Sequence, residues 1–311
     1  MYNVVAMRDI VGNAAIIKYL GDSACENNLS HAYLFCGPEC VGKTKAGLDF
    51  ARLILCEGSN PADCTECPSC KLFESGNHPD FHYIDKDTVL VDEIRELTNA
   101  LELKPFRGKA KVALISHAER LTVQALNSFL KTLEEPAPHT VIILTTENKK
   151  NLLETIVSRS RLVNFGLVPD KQIYELLNTE LGVKRTDAEQ IVNLAGGRIG
   201  YAITLAADKE LATDTINVTS EFLRAYRSVD IHEKVAFADK LSKEKDSLEP
   251  KLQNVEMAVR SELLRLSGDT KNVRTGELLT LLNRLTKSVE MIRRNANTKL
   301  VIEGLLLGSI S

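Results

Sequence analysis

The 311-residue chain lacks an excess of charge of either sign: 39 Lys and Arg stand against 42 Asp and Glu, a net charge of −3. That excludes a whole-molecule field able to hold nucleic acid by counterion release, so any DNA contact has to be local or supplied by partners. No run of eighteen apolar residues occurs, which excludes a membrane-spanning helix. The opening MYNVVAMRDIVGN has no basic region followed by an apolar core and a small-residue cleavage site, so a cytoplasmic protein is expected. Low-complexity segments and internal repeats are also missing. What remains is an ordinary globular composition, 44% hydrophobic and 26% charged, over a length sufficient for two or three compact domains. The seven cysteines are an odd number, and in a reducing compartment they point to metal binding before a disulfide framework.

The first half alternates short apolar runs with helical patterns. AYLFC (32–36), FHYID (81–85), VALIS (112–116), VIILTT (141–146) and LVNF (162–165) are β-branched or aromatic and bounded by turn residues, which predicts strands. Between them, Gly47, Phe50, Ala51 and Ile54, and again Ile94, Leu97, Thr98 and Leu101, fall on one helical face each. The alternation predicts an α/β domain, a mostly parallel sheet covered by helices, over 1–166. After Phe165 the strand signals stop. PDKQIYELLNTELG and RTDAEQIVNLAGG read as two short helices, the second closed at Gly196-Gly197, in a small helical domain over 167–207. The stripes Leu252, Val255, Val259, Leu263, Leu266 and Leu278, Leu281, Leu285, Val289, Ile292 predict an all-helical domain over 208–311, with SKEKDSLEP (242–250) as a helix end and loop.

GPECVGKT (37–44) satisfies G-x-x-x-x-G-K-[ST] through Gly37, Gly42, Lys43 and Thr44. A phosphate loop needs a strand, a turn whose N–H groups face an anion, and a helix whose N-terminal dipole faces it too. AYLFC precedes the loop and a helix opens near Lys43, so Lys43 is expected to reach the outer phosphates and Thr44 to ligate Mg²⁺. A loop that keeps the fold and binds nothing is the plainer alternative. VALISHAERL carries Ser116 and His117 where a working ATPase has carboxylates for Mg²⁺ and for the attacking water. Neither replaces a hard anionic oxygen, which argues against hydrolysis by this chain. His117 reads as a strand-end residue without a catalytic role, and Glu119 as a solvated charge after the strand.

Cys56, Cys64, Cys67 and Cys70 follow the spacing C-x7-C-x2-C-x2-C. Four thiolates complete a tetrahedral zinc shell with no position left for water, so a structural zinc module is expected at 56–70. Cys25, Cys36 and Cys40 stand outside it, and Cys36 is expected to face the core from its strand.

HAYLFCGPECVGKT, the cysteine insert, LNSFLKTLEEPAPHTVIILTT and TIVSRSRLVNF together resemble the clamp-loader AAA+ subunits of bacterial DNA polymerase III. Order and spacing agree from about Val11 to Phe165, with LKTLEEP (130–136) and SRS (158–160) the most specific segments, and the later helices fit the same three-domain plan. The resemblance implies an AAA+ domain, a lid and a collar that joins subunits. It further implies a hetero-pentamer with gamma/tau and delta subunits that opens a sliding clamp and closes it on primed DNA. Within the family, the missing acidic pair and the chain length favour the delta-prime branch, a stator. The alternative is a gamma/tau-like motor that binds and hydrolyses its own ATP.

The family's Ser-Arg-Cys motif falls on Ser158, Arg159 and Ser160, which makes Arg159 the expected arginine finger for a neighbour's nucleotide. Its plainer reading is a surface ion pair, and Arg161 beside it shows that basic residues here need not all be functional. The family's phosphate loop has glycine where this chain has Cys40, and a Cβ there opposes a positive-φ turn. Occupancy by ATP or ADP is therefore left open. Thr145 and Thr146 fall where a polar sensor would read nucleotide, or are ordinary strand-end threonines. The lid arginine of motor subunits falls on Gly200, with Arg198 close by. Lys104, Arg107, Lys109 and Lys111 read as a solvated loop before the third strand.

Overall fold

The computed structural model describes residues 10–26, 28–58, 60–266 and 273–308. The chain divides into two compact units, Met1–Val168 and Pro169–Ser311. In the first, strands β1 (Ala32–Cys36), β2 (Phe81–Ile84), β3 (Lys111–Ile115), β4 (Thr140–Thr146) and β5 (Arg161–Asn164) form one parallel sheet in the order β2-β3-β4-β1-β5. All five expected strands are present, shifted by no more than one residue at either end.

The central strands are apolar along their whole length because both faces are covered. Leu34, Ala113, Ile115, Ile142 and Leu144 pack with helices α4 (Val91–Glu102) and α5 (Val123–Glu134). Their alternates Tyr33, Phe35, Val112, Leu114, Val141 and Ile143 pack with α1 (Ala14–Cys25) and α2 (Lys43–Leu55). Local chemistry sets the helix starts. The Glu93 carboxylate accepts the Leu90 N–H at 2.8 Å to open α4, and Thr122 Oγ1 accepts the Ala125 N–H at 3.3 Å to open α5. Two short helices, α3 (Pro68–Glu74) and α6 (Glu154–Arg159), carry the cysteine module and the segment leading into β5.

Three expectations need correction. Lys111 is not in a solvated loop: it is buried in β3 and its ammonium donates to the Ala100 carbonyl at 2.5 Å, while Lys104 and Lys109 are exposed. Arg107, in the same loop, pairs with Glu57 at 3.0 Å. Cys36 is half-buried at the open end of β1, with Sγ 3.9 Å from the Glu147 carbonyl, because the sheet's cover stops there. The third correction concerns SKEKDSLEP, of which only Lys243 and Glu244 lie between helices and Pro250 sits inside α12.

The second unit is helical among its described residues: α7 (Asp170–Glu175), a π-turn at Leu176–Glu180, α8 (Arg185–Ala195), α9 (Ile199–Ala207), α10 (Lys209–Arg227), α11 (Ile231–Ser242), α12 (Lys245–Leu266), α13 (Val273–Arg293) and α14 (Thr298–Leu307). Leu252, Val255, Val259, Leu278, Leu281, Leu285 and Val289 meet in its core, as their helical spacing predicts. Helix α8 packs directly on α12 within this unit. Among the described residues no helix is long and apolar enough to cross a membrane.

The stop of α8 is tightly specified. Gly196 takes φ 55°, and a Cβ there would lie 2.7 Å from Cβ of Ser261 on α12. Gly196→Ala is expected to destabilise the protein by about 1–3 kcal/mol through overpacking and left-handed strain. Chemical denaturation checks this, and an unchanged midpoint would show that α8 and α12 separate freely.

Candidate nucleotide and metal sites

The ends of β1, β3 and β4 lie side by side at the carboxyl edge of the sheet, where open α/β folds bind ligands. The Gly37 N–H donates to the Thr146 carbonyl at 3.2 Å, so the loop turns directly off the sheet. Only glycine fits at this point, since a Cβ would meet the Phe165 carbonyl oxygen at 2.3 Å. Cys40 adopts φ 57°: the turn forms despite its Cβ, at a strain of about 1–2 kcal/mol. Gly42 precedes α2, which begins at Lys43.

Lys43 is buried and folds over its own loop, donating at 2.7 Å to the carbonyls of both Gly37 and Pro38. Burial pulls its ammonium below the usual lysine range, against the opposing charges of Glu147 and Glu119. Thr44 Oγ1 lies 3.3 Å from Ser116 Oγ, and Ser116, fully buried, donates to the Tyr83 hydroxyl at 3.3 Å. The structure thus joins the phosphate-loop threonine to the residue standing where a magnesium carboxylate is expected. The Thr145 hydroxyl accepts the His117 N–H at 3.0 Å and braces the end of β3. Thr146 Oγ1 donates to the Asn148 carbonyl at 3.2 Å.

Glu119 is not the solvated charge expected from sequence. After β3 the chain turns through His117, at φ 53°, into a 3-10 turn at Ala118–Arg120 that folds Glu119 back to the sheet edge. Its carboxylate lies 3.4 Å from His117 Nδ1, and the ligand atoms of His117, Glu119 and Glu147 are all within 4.8 Å of one another. Burial pushes the Glu119 carboxyl up, but the polar groups around it, the His117 ring first, outweigh that and leave it below the ordinary glutamate range. Two carboxylates therefore flank the phosphate loop, though neither is at position 116 or 117.

Cys56 at the end of α2, Cys64, Cys67 capping α3 and Cys70 in its first turn bring four sulfurs within 4.8 Å of one another. Tetrahedral Zn–S bonds of about 2.3 Å put sulfurs about 3.8 Å apart. The Cys56 and Cys67 sulfurs are 3.9 Å apart, so donor type, count and spacing fit zinc. Backbone N–H groups point at them, from Gly58 to Cys56 and from Cys70 to Cys67, each at 3.3 Å. Beneath the module, buried Asp80 accepts the N–H groups of Phe106, Arg107 and Gly108 at 2.7, 2.8 and 3.2 Å. No spacing in the sequence marks that anchor.

Arg159 ends α6, immediately before the edge strand β5, with about a third of its side chain (36%) exposed. Its guanidinium pairs with Glu134 of the LKTLEEP segment at 2.7 Å and donates to the Thr155 carbonyl at 3.2 Å and to Ser158 Oγ at 3.4 Å. It therefore makes the surface ion pair of its plainer reading. Arg161 stacks over the Tyr19 ring, 5.0 Å from its centroid, which gives that neighbour a packing role. Ser160 Oγ is buried with no hydrogen-bond partner. In the second unit Arg198 is buried just before α9, and Gly200 lies within that helix.

A strand, glycine loop and helix at the carboxyl edge of a parallel sheet define a P-loop α/β protein. The chain belongs to the family described as DNA polymerase III, delta subunit, which matches residues 12–168, half of its length. It is 34% identical over 205 residues to DNA polymerase III subunit delta' of Bacillus subtilis, covering 65% of this chain and 62% of that protein. Identity to subunit tau of the same organism is 35% over 205 residues, covering 63% and 36%. With subunit tau/gamma of Haemophilus influenzae it is 37% over 236 residues, covering 72% and 34%. The matched stretches thus span less than two thirds of these relatives' own lengths.

Two outcomes test the chemistry described. Ser160→Cys is expected to raise stability by about 1 kcal/mol, because it relieves a buried hydroxyl left without a partner. An unchanged or lowered unfolding midpoint would mean that the hydroxyl is satisfied in solution. Elemental analysis of the purified protein is expected to give about one equivalent of zinc. A folded, metal-free protein would rule out the zinc module.

Proposed function

We propose that this chain is a delta-prime-like stator of the DNA polymerase III clamp loader. It acts in the cytoplasm within a hetero-pentamer with gamma/tau and delta subunits that places a sliding clamp on primed DNA. Its first unit is read as the AAA+ domain with a structural zinc module at 56–70; residues 167–207 and 208–311 are read as lid and collar. Arg159 serves as the arginine finger, completing the nucleotide site of a neighbouring motor subunit.

The observation that carries this reading is Ser116. It is buried against Thr44 at 3.3 Å, so the Mg²⁺ side of this chain's own loop meets a neutral hydroxyl where a motor needs a carboxylate. Arg159 stands at the sheet edge, partly exposed and able to exchange Glu134 for a neighbour's phosphate. ATP or ADP bound at Gly37, Gly42, Lys43 and Thr44, with Thr145 braced behind them, would serve assembly without turnover.

A gamma/tau-like motor is the second reading, and Glu119 favours it: a half-buried carboxylate beside Lys43 could supply part of the missing acidic function. Sequence identity does not separate the two readings, at 34% to a delta' and 35% to a tau.

DNA- and clamp-stimulated ATPase of the reconstituted loader separates the two. Arg159→Ala in this chain is expected to lower the rate by about a thousandfold at the neighbour's site, with assembly intact and Lys43→Ala nearly silent. A large loss with Lys43→Ala and none with Arg159→Ala would make this chain a motor and end the stator reading.

A further inference from the structure

Arg52 lies in α2, the helix that begins at the phosphate loop, and is only 3% exposed. A guanidinium cannot shed its charge by deprotonating, so burial obliges it to find an anion or a full set of acceptors. Nη1 donates to the carbonyls of Cys64 at 2.7 Å and Pro61 at 3.3 Å, and lies 3.9 Å from Cys70 Sγ. Nη2 is buried with no hydrogen-bond partner.

The cysteine cluster lies against this cation, with Cys70 Sγ 3.9 Å from Nη1, and becomes anionic when its thiols deprotonate to hold a metal. Zinc with four thiolates carries a net charge of 2−, and the guanidinium offsets half of it. We propose that Arg52 is the charge partner of the metal centre: it holds the zinc–thiolate cluster from the phosphate-loop helix, so that metal content and the order of α2 depend on each other. This rests on the zinc reading. The two carbonyl contacts add a geometric part, because they fold the Pro61–Cys64 segment over the guanidinium and fix Cys64 toward the other sulfurs.

The test uses full-length protein with zinc as the ligand. Wild type, Arg52→Gln and Arg52→Lys are compared by zinc content and by competition with a chromogenic chelator. Outer-shell partners change metal affinity by about ten- to a hundredfold, so Arg52→Gln, which keeps a donor but loses the charge, is expected to weaken zinc by that factor. Arg52→Lys keeps the charge and is expected to stay within a few-fold of wild type. An insoluble Gln variant beside a soluble Lys variant supports the same conclusion.

Equal zinc affinity in all three proteins, or a Gln variant that binds as wild type while Lys fails, would overturn the proposal and leave the zinc reading standing. Wild type without zinc would sink both. A readout free of mutation accompanies these. Removing zinc from wild type is expected to raise amide hydrogen exchange across Asp49–Leu55 of α2, and exchange that stays unchanged would also overturn the coupling.

Discussion

The phosphate loop and the Arg159 segment are both positioned by the insertion of β1 between β4 and β5. Because Phe165 continues β5 and its carbonyl approaches the end of β1, the chain can leave β1 only through a residue without a side chain, Gly37. The loop that follows is then held on one side by the Thr146 carbonyl and on the other by the first turn of α2. Lys43, Thr44 and Thr146 converge for that reason, and Ser116 joins them because β3 lies on the other side of β4. The pairing that places the phosphate loop also places Arg159, which ends the helix feeding the same β5.

The charges around this loop follow a logic different from that of a simple anion cradle. Lys43 gives two of its three N–H groups to carbonyls of its own loop, and two of the acidic groups acting on it, Glu119 and Glu147, sit on the turns after β3 and β4. A phosphate entering the loop would replace those carbonyls at Lys43 while feeling the repulsion of both carboxylates. A divalent cation between them would reverse that repulsion. Ser116 still sets a neutral hydroxyl against Thr44, and Glu119, on the turn after β3, is the carboxylate that a motor would have to recruit in its place.

Much of this was legible in sequence. The five strands could be read because β-branched runs bounded by turns have few other uses in a soluble domain, and their continuous apolarity announced helices on both faces. The phosphate loop and the four cysteines could be read because their chemistry demands fixed spacing. Glu119 was missed because a 3-10 turn after a strand leaves no periodicity: nothing in AER tells a folded-back carboxylate from a solvated one. Lys111 was missed because its long apolar stem lets it occupy a strand while its ammonium reaches the Ala100 carbonyl. Arg52 sits between Ala51 and Leu53 on a helix whose pattern asks only for one apolar face, and its partners belong to a loop that the helix pattern does not describe.

The ion pair between Arg159 and Glu134 bears on function through its magnitude. Both side chains are partly exposed, 36% and 47%, and pairs of this kind contribute about 0.2–1 kcal/mol once solvent screening and side-chain entropy are counted. A finger that stabilises phosphoryl transfer about a thousandfold supplies roughly 4 kcal/mol at the transition state. Breaking the resting pair is therefore a small cost against what the arginine would gain beside a phosphate in a closed interface. The bond to the Thr155 carbonyl lies within the same short helix and can persist through such an exchange. A resting surface ion pair is thus compatible with a trans-acting finger, and the pair by itself counts against neither reading.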